Sequence, residues 1–119
     1  MSARPESLPR AKVIRRRQVF DATRNGGRRV TSRWFAVNFI PRDAVPPGET
    51  GTAAFLTPKR LGAATVRNRL RRRMREIYRR HLMTDDSDRF MVWIARPPAV
   101  ELPFDELKAR MLELSGRIR

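Results

Sequence analysis

The pattern of apolar and polar side chains changes period several times along the chain. From Trp34 to Ile40 the period is two. Phe35, Val37 and Phe39 fall on one face, with Trp34, Ala36, Asn38 and Ile40 on the other, which predicts a strand. Phe90 to Ala95 repeats the pattern, with Phe90, Val92 and Ile94 opposite Met91, Trp93 and Ala95. Thr52 to Thr57 is a further expected strand, stopped before Pro58. Helical spacing governs Val66, Leu70, Met74 and Ile77, predicting a helix over 65–82 with Thr65 as its cap. The same spacing returns at Phe104, Leu107, Met111 and Leu114, where Asp105 and Glu106 suit the first turn. A shorter helix is expected from Arg16 to Arg24. It points Val19, Phe20 and Thr23 at the body and ends at Gly26-Gly27.

The remaining stretches connect these elements. Residues 1–14 are basic, contain proline and lack periodicity, so a flexible segment is expected there, with one folded domain over 15–119. Pro41 to Gly51 is turn-rich, and Asp85 to Asp88 reads as a solvated loop after the basic helix. No repeat or inter-domain linker interrupts the pattern. The expected class is α+β in a single small domain, large enough for a modest core.

Charge sharpens this picture. The chain of 119 residues carries 27 Lys and Arg against 12 acids, a formal net charge of +15. Residues 1–42 and 59–80 each contribute +9, while 43–58 and 81–119 are slightly acidic. Such a balance attracts nucleic acid or another acidic surface without specifying a fold. If the two basic segments meet in space, they form one footprint. The absence of Cys excludes disulfides and thiolate chemistry and fits a reducing compartment. No apolar run reaches the length of a membrane span. The N-terminus lacks a signal peptide's apolar core, and Glu6 with the prolines at 5 and 9 argues against a transit peptide. Cytoplasmic residence is the expectation.

The basic helix is the strongest candidate site. Opposite its apolar stripe stand Asn68, Arg71, Arg72, Arg75 and Arg79, with Arg67 and Tyr78 on one shoulder and Arg69, Arg73 and Arg80 on the other. Arg71/Arg75 and Arg75/Arg79 are like-charged i,i+4 pairs that mildly destabilise an isolated helix, so the surface awaits anions. Guanidinium forks engage phosphate oxygens bidentately, and Asn68 can donate to a phosphate or read a base edge. Composition alone leaves RNA and DNA open.

The segment from Lys59-Arg60-Leu61-Gly62 through Arg67-Asn68-Arg69 to Arg75 closely resembles the signature of the bacterial ribonuclease P protein subunit. The likeness extends through Phe20, Gly27, Arg33 and Phe35, then through Phe90 to Pro98 and the last helix. It implies an α-β-β-β-α-β-α order with a left-handed parallel βαβ crossover, an exception to a strong rule of handedness. It also implies that Lys59, Arg60, Arg67, Asn68, Arg69, Arg71, Arg72 and Arg75 bind the catalytic RNA. Phe20, Arg24, Ala36 and Asn38 match positions of a cleft between the first helix and the sheet, which receives the single-stranded 5′ leader of precursor transfer RNA. Arg24 departs from an aromatic common in the family, and guanidinium stacking or a phosphate contact is the expected substitute. Pro97 stands where a basic side chain is frequent, and removes one charge contact.

The inventory of catalytic groups agrees with that implication. Asp85, Asp86 and Asp88 are the only dense carboxylates, without the spacing of a recognised metal site. His81 is the sole histidine and sits near the apolar stripe, so core-edge packing or a contact at the helix C-terminus is expected. No catalytic or metal-binding residue is assigned to the protein. The resemblance implies an accessory subunit of an endoribonuclease, with Mg²⁺ and the cleavage centre held by the RNA, and no obligate protein partner or membrane. A ribosomal or RNA-assembly structural protein is the alternative the residues permit, and a DNA-binding architectural protein the more distant one.

Overall fold

Two runs of alternating side chains, on β2 (Phe35–Pro41) and β4 (Arg89–Ala95), pair antiparallel at the centre of a four-stranded sheet. The structure is a computed structural model that describes residues 10–45, 51–82 and 89–118, with side chains from Gln18 onward. Its elements run α1 (Arg10–Gly26), β1 (Arg28–Thr31), β2, β3 (Ala53–Leu56), α2 (Ala64–His81), β4 and α3 (Phe104–Ser115). The sheet order is β1-β2-β4-β3, with β3 parallel to β4 across the α2 crossover and the other pairings antiparallel. This is the expected α-β-β-β-α-β-α order in one α+β domain.

Alternation on the central strands divides the interior into two layers. Phe35, Val37, Met91, Trp93 and Ala95 face Leu70, Met74, Ile77 and Tyr78 of α2 and Leu107, Met111 and Leu114 of α3. Ile40, Phe90 and Val92 turn the other way, joining Ala54 and Val19 of α1. A sheet covered on both sides buries apolar residues in both phases of its strands, which is why β2 and β4 read as nearly continuous apolar runs. Phe35 and Trp93 meet edge to face at 5.8 Å and 79°, a geometry worth about 1 kcal/mol beyond burial.

Several details differ from the sequence expectation. α1 begins at Arg10, six residues before the expected start. Of the segment expected to be flexible, residues 1–9 lie outside the described residues and 10–14 fall within this helix. Just past its end, Gly27 sits where two backbones approach too closely for a side chain: a Cβ there would lie 2.4 Å from the Thr23 carbonyl oxygen and 2.7 Å from that of Phe39. β1 was not assigned from periodicity, because Arg28, Arg29, Val30 and Thr31 show no apolar alternation.

Thr65 does not cap α2. Gly62 turns the chain at φ +127°, Ala63 occupies the cap position, and Thr65 lies two residues further along, inside the helix. The Arg67 amide donates to the Ala63 carbonyl at 3.0 Å, closing the first turn through backbone alone. Phe104 is likewise not part of the buried stripe. It occupies the first position of α3, directly after Pro103, and stays 39% exposed. Leu102 packs against the core in its neighbourhood. His81 is exposed at the last residue of α2, not packed at the core edge, while Tyr78 moves from the shoulder into the core. Asp85, Asp86 and Asp88, and Pro46-Pro47-Gly48, lie outside the described residues.

Candidate nucleic-acid interface

α2 buries Leu70, Met74, Ile77 and Tyr78 and turns its cationic side chains outward. Asn68, Arg69, Arg72, Arg75, Arg79 and Arg80 are exposed, while Arg67, Arg71 and Arg73 are half-buried. Lys59 and Arg60 are exposed on the 3-10 turn Lys59–Leu61 that leads into the helix. All eight residues expected to bind RNA thus lie on α2 or its approach.

The arginines are not equivalent. Arg67 Nε donates to the Gly62 carbonyl at 3.1 Å, which orients its guanidinium beside the helix entrance. Arg71 donates from Nη1 to Thr57 Oγ1 at 2.7 Å and from Nη2 to Asn68 Oδ1. Glu76, the only acid between Lys59 and Arg80, accepts from Arg79 Nη2 at 2.9 Å and also pairs with Arg80 Nε. The hydrogen bond from Arg79 is the main cause that holds its carboxyl below the usual value of 4.5, with the charges of Arg79 and Arg80 acting the same way. Among the described residues no carboxylate pairs with Arg69, Arg72, Arg73 or Arg75. Their charge is therefore available to a polyanion.

A groove of about 480 Å³ opens beside this surface. Phe20 of α1 lines it, with Thr52, Ala53, Ala54 and Phe55 along β3 and Arg75, Tyr78 and Arg79 from α2. Tyr78 is fixed edge to face on Phe55 at 5.5 Å, and its hydroxyl lies 2.8 Å from Thr52 Oγ1. An apolar floor with a half-buried phenyl ring and two guanidinium groups at its margin suits an unpaired base with its phosphates outside.

Of the four residues expected to form the leader cleft, only Phe20 lines this groove. Ala36 and Asn38 lie on β2, buried to 1% and 7% exposure, and Asn38 Oδ1 accepts from Arg29 Nη1 at 3.2 Å. Arg24 is exposed and forms an ion pair with Asp21 at 2.8 Å. Phe55, Tyr78 and Arg79 were missed as groove residues. Their signal was weak: Tyr78 sits between the apolar and basic sectors of α2, and only the packing of α1, β3 and α2 brings the three segments together. Among the described residues there is no group of three or more His, Cys, Asp or Glu placed to hold a metal ion.

Comparison with known proteins places this geometry in a familiar setting. The sequence model of the family Ribonuclease P matches residues 8–119. Over 111 residues the chain is 36% identical to the ribonuclease P protein component of Acidothermus cellulolyticus, covering 93% of this chain and 91% of that one. It is 37% identical over 111 residues to the corresponding component of Chloroflexus aggregans, covering 90% of this chain and 77% of that protein. Among solved structures, the RNase P protein from Thermotoga maritima superposes with a TM-score of 0.73 at 25% identity, over 87% of this chain and 94% of that one.

Proposed function

The chain belongs to the ribonuclease P protein family, as the protein component of an endoribonuclease that processes transfer RNA, and on that premise we propose how its two surfaces divide the work. The outer face of α2, with Lys59 and Arg60, docks on the catalytic RNA and neutralises its phosphates. The groove beside Phe20 receives the single-stranded 5′ leader of the precursor. The RNA partner holds Mg²⁺ and carries out phosphodiester cleavage. Among the described residues no group of three or more His, Cys, Asp or Glu is placed to hold a metal ion, and no step is assigned to a protein-bound ion.

One observation carries this reading: Arg75 belongs to the unneutralised face of α2 and also lines the Phe20 groove. The two surfaces are therefore contiguous, and an RNA docked on α2 has an unpaired strand within reach of the groove. The cations of α2 stand in for salt ions that would otherwise screen the RNA phosphates, which lowers the ionic strength needed for assembly. Each phosphate contact also releases condensed counterions, which favours binding at low salt.

Reconstitution tests it. The chain alone should leave precursor transfer RNA uncut, and with the catalytic RNA and Mg²⁺ it should tighten precursor binding and accelerate leader removal at moderate salt. A reconstituted particle whose precursor affinity and cleavage do not depend on the protein would overturn the proposal. Recovery of ribosomal RNA alone with the purified chain would favour a structural role in ribosome assembly instead.

A further inference from the structure

The register of the sheet gathers a second set of arginines at one end of the fold. Phe35 stands opposite Ala95, and Leu56 opposite Ile94, so the β1–β2 turn, the exit of β4 and the exit of β3 share that end. Arg33 is exposed on the β1–β2 turn. Arg96 follows β4 and donates from Nη1 to the Ser32 carbonyl at 3.0 Å. Arg117, just beyond α3, donates from Nη1 to the Thr31 carbonyl at 3.1 Å. Two of the three guanidinium groups are thus positioned by backbone oxygens. Among the described residues, none of the three pairs with a carboxylate.

A groove of about 610 Å³ lies against this cluster, lined by Arg33, Trp34, Pro97, Pro98, Glu101 and Leu102. Trp34 is half-buried, with the Arg110 guanidinium carbon 4.4 Å from its ring centroid. Arg110 is in turn held by Glu106 and Glu113. The indole is therefore fixed and still lines the groove. Its neighbours are two proline rings and a leucine, flat or apolar surfaces, with Glu101 the one acid in the lining. The 3-10 turn Pro97–Glu101 packs on the Lys59–Leu61 turn and on α2, so the groove adjoins the entrance of the basic helix. From β3 to β1 the row of strand ends spans about 14 Å, three strand spacings.

We propose that this sheet end extends the RNA footprint: an unpaired nucleotide of the RNA docked on α2 places its base in the Trp34–Pro97–Pro98 groove and its phosphates at Arg33, Arg96 and Arg117. The proposal rests on the RNA-binding reading of α2 and adds a site on the opposite layer of the sheet from Phe20. Charge selects the partner. Arginines without carboxylate partners beside a fixed indole suit a phosphodiester strand with exposed bases, because stacking is tolerant of sequence while the cations follow the backbone. A duplex keeps its bases stacked internally and has nothing to insert between Trp34 and the prolines.

The test uses the full chain with an oligouridylate of about ten nucleotides, a length within the range such surfaces cover, and an RNA duplex as comparison. Cross-linking of a 4-thiouridine-substituted oligomer to the unaltered protein should label Trp34 or the 97–102 peptide. The double variant Arg33→Gln, Arg117→Gln should weaken oligouridylate binding about tenfold and lower its salt slope by about 1.4, the loss of two single-strand phosphate contacts. Duplex binding, carried by α2, should fall much less. Trp34→Leu should abolish the label at position 34 and weaken the oligomer selectively, with unchanged duplex binding certifying the fold. Labels confined to α2 and the Phe20 groove, or equal losses for oligomer and duplex, would overturn the site. Those results leave the role in precursor cleavage untouched, and a particle in which the protein fails to support cleavage would leave this site standing.

Discussion

Arg71 donates through Nη1 to Thr57 Oγ1 at 2.7 Å, tying the early turns of α2 to the end of β3. Thr57 is buried to 6% exposure, and the other arm of the same guanidinium holds Asn68 Oδ1. Arg71 thus braces the helix and orients the asparagine, leaving Asn68 Nδ2 as the group turned to a phosphate or base. Thr57→Val removes the acceptor while keeping the volume, and should cost about 1 kcal/mol of stability in urea unfolding. Arg71→Gln should change the salt slope of RNA binding less than Arg75→Gln, which removes a cation without a carboxylate partner among the described residues and lowers the duplex slope by about 0.9. Equal slopes for the two variants would show Arg71 to be a phosphate ligand like its neighbour.

Glu76 restrains the same surface. Its carboxylate engages Arg79 and Arg80, and the hydrogen bond from Arg79 holds its pKa below 4.5. A carboxyl whose folded pKa is depressed contributes its stability above the unfolded value, and loses it as pH falls through the folded one. The pair's contribution should therefore be complete above about pH 4.5 and disappear in more acid solution. Glu76→Gln should remove this acid-range dependence from thermal melts followed between pH 3 and 6. It should also tighten RNA binding about two- to threefold at low salt, since Arg79 is released beside the groove, and the gain should vanish at high salt. Unchanged affinity at every salt concentration would place Arg79 outside the interface.

Gly27 is fixed by close approach between backbones. A methyl group there would meet the carbonyl oxygens of Thr23 at 2.4 Å and Phe39 at 2.7 Å, neither of which can turn aside as a side chain does. Gly27→Ala should destabilise the domain by at least about 2 kcal/mol by shifting α1 away from β2. Gly26→Ala, with nothing within 4 Å of the added atom, should be close to neutral. Melting temperatures of the two variants provide the comparison, and equal effects would remove the steric account.

The legible parts of the fold were those where one side chain's period settles its partner. The alternation along Phe90 to Ala95 separates the two buried layers, and the spacing of Leu70, Met74 and Ile77 orients the basic face. β1 was hidden because Arg28 and Arg29 are exposed on an edge strand and carry no apolar phase. Tyr78 misled because a ring at the shoulder of a helix can turn inward when a hydroxyl partner such as Thr52 waits at the core edge. The groove was the least legible feature. Phe20, Phe55 and Arg75 belong to three elements, and only tertiary packing makes them neighbours.

Phe20 and Arg75 supply the decisive comparison, because they line one groove from different elements. Phe20 is half-buried on α1 and offers a ring to an unpaired base, whereas Arg75 is exposed and offers charge to both the groove and the outer face of α2. Phe20→Ala should therefore weaken binding of precursor carrying its leader about tenfold, within the range for loss of one base–aromatic stack, and leave leaderless transfer RNA unaffected. Arg75→Gln should weaken assembly with the catalytic RNA as well as leader binding, with a reduced salt slope in both. If the ring and the guanidinium grip the same leader strand, their effects on leader-bearing precursor should be non-additive by at least about 0.5 kcal/mol, and additive on assembly. Measuring the four proteins of that cycle with and without the leader separates a shared grip from two independent contacts. Full additivity with the leader present would mean that Phe20 and Arg75 contact the precursor independently of one another.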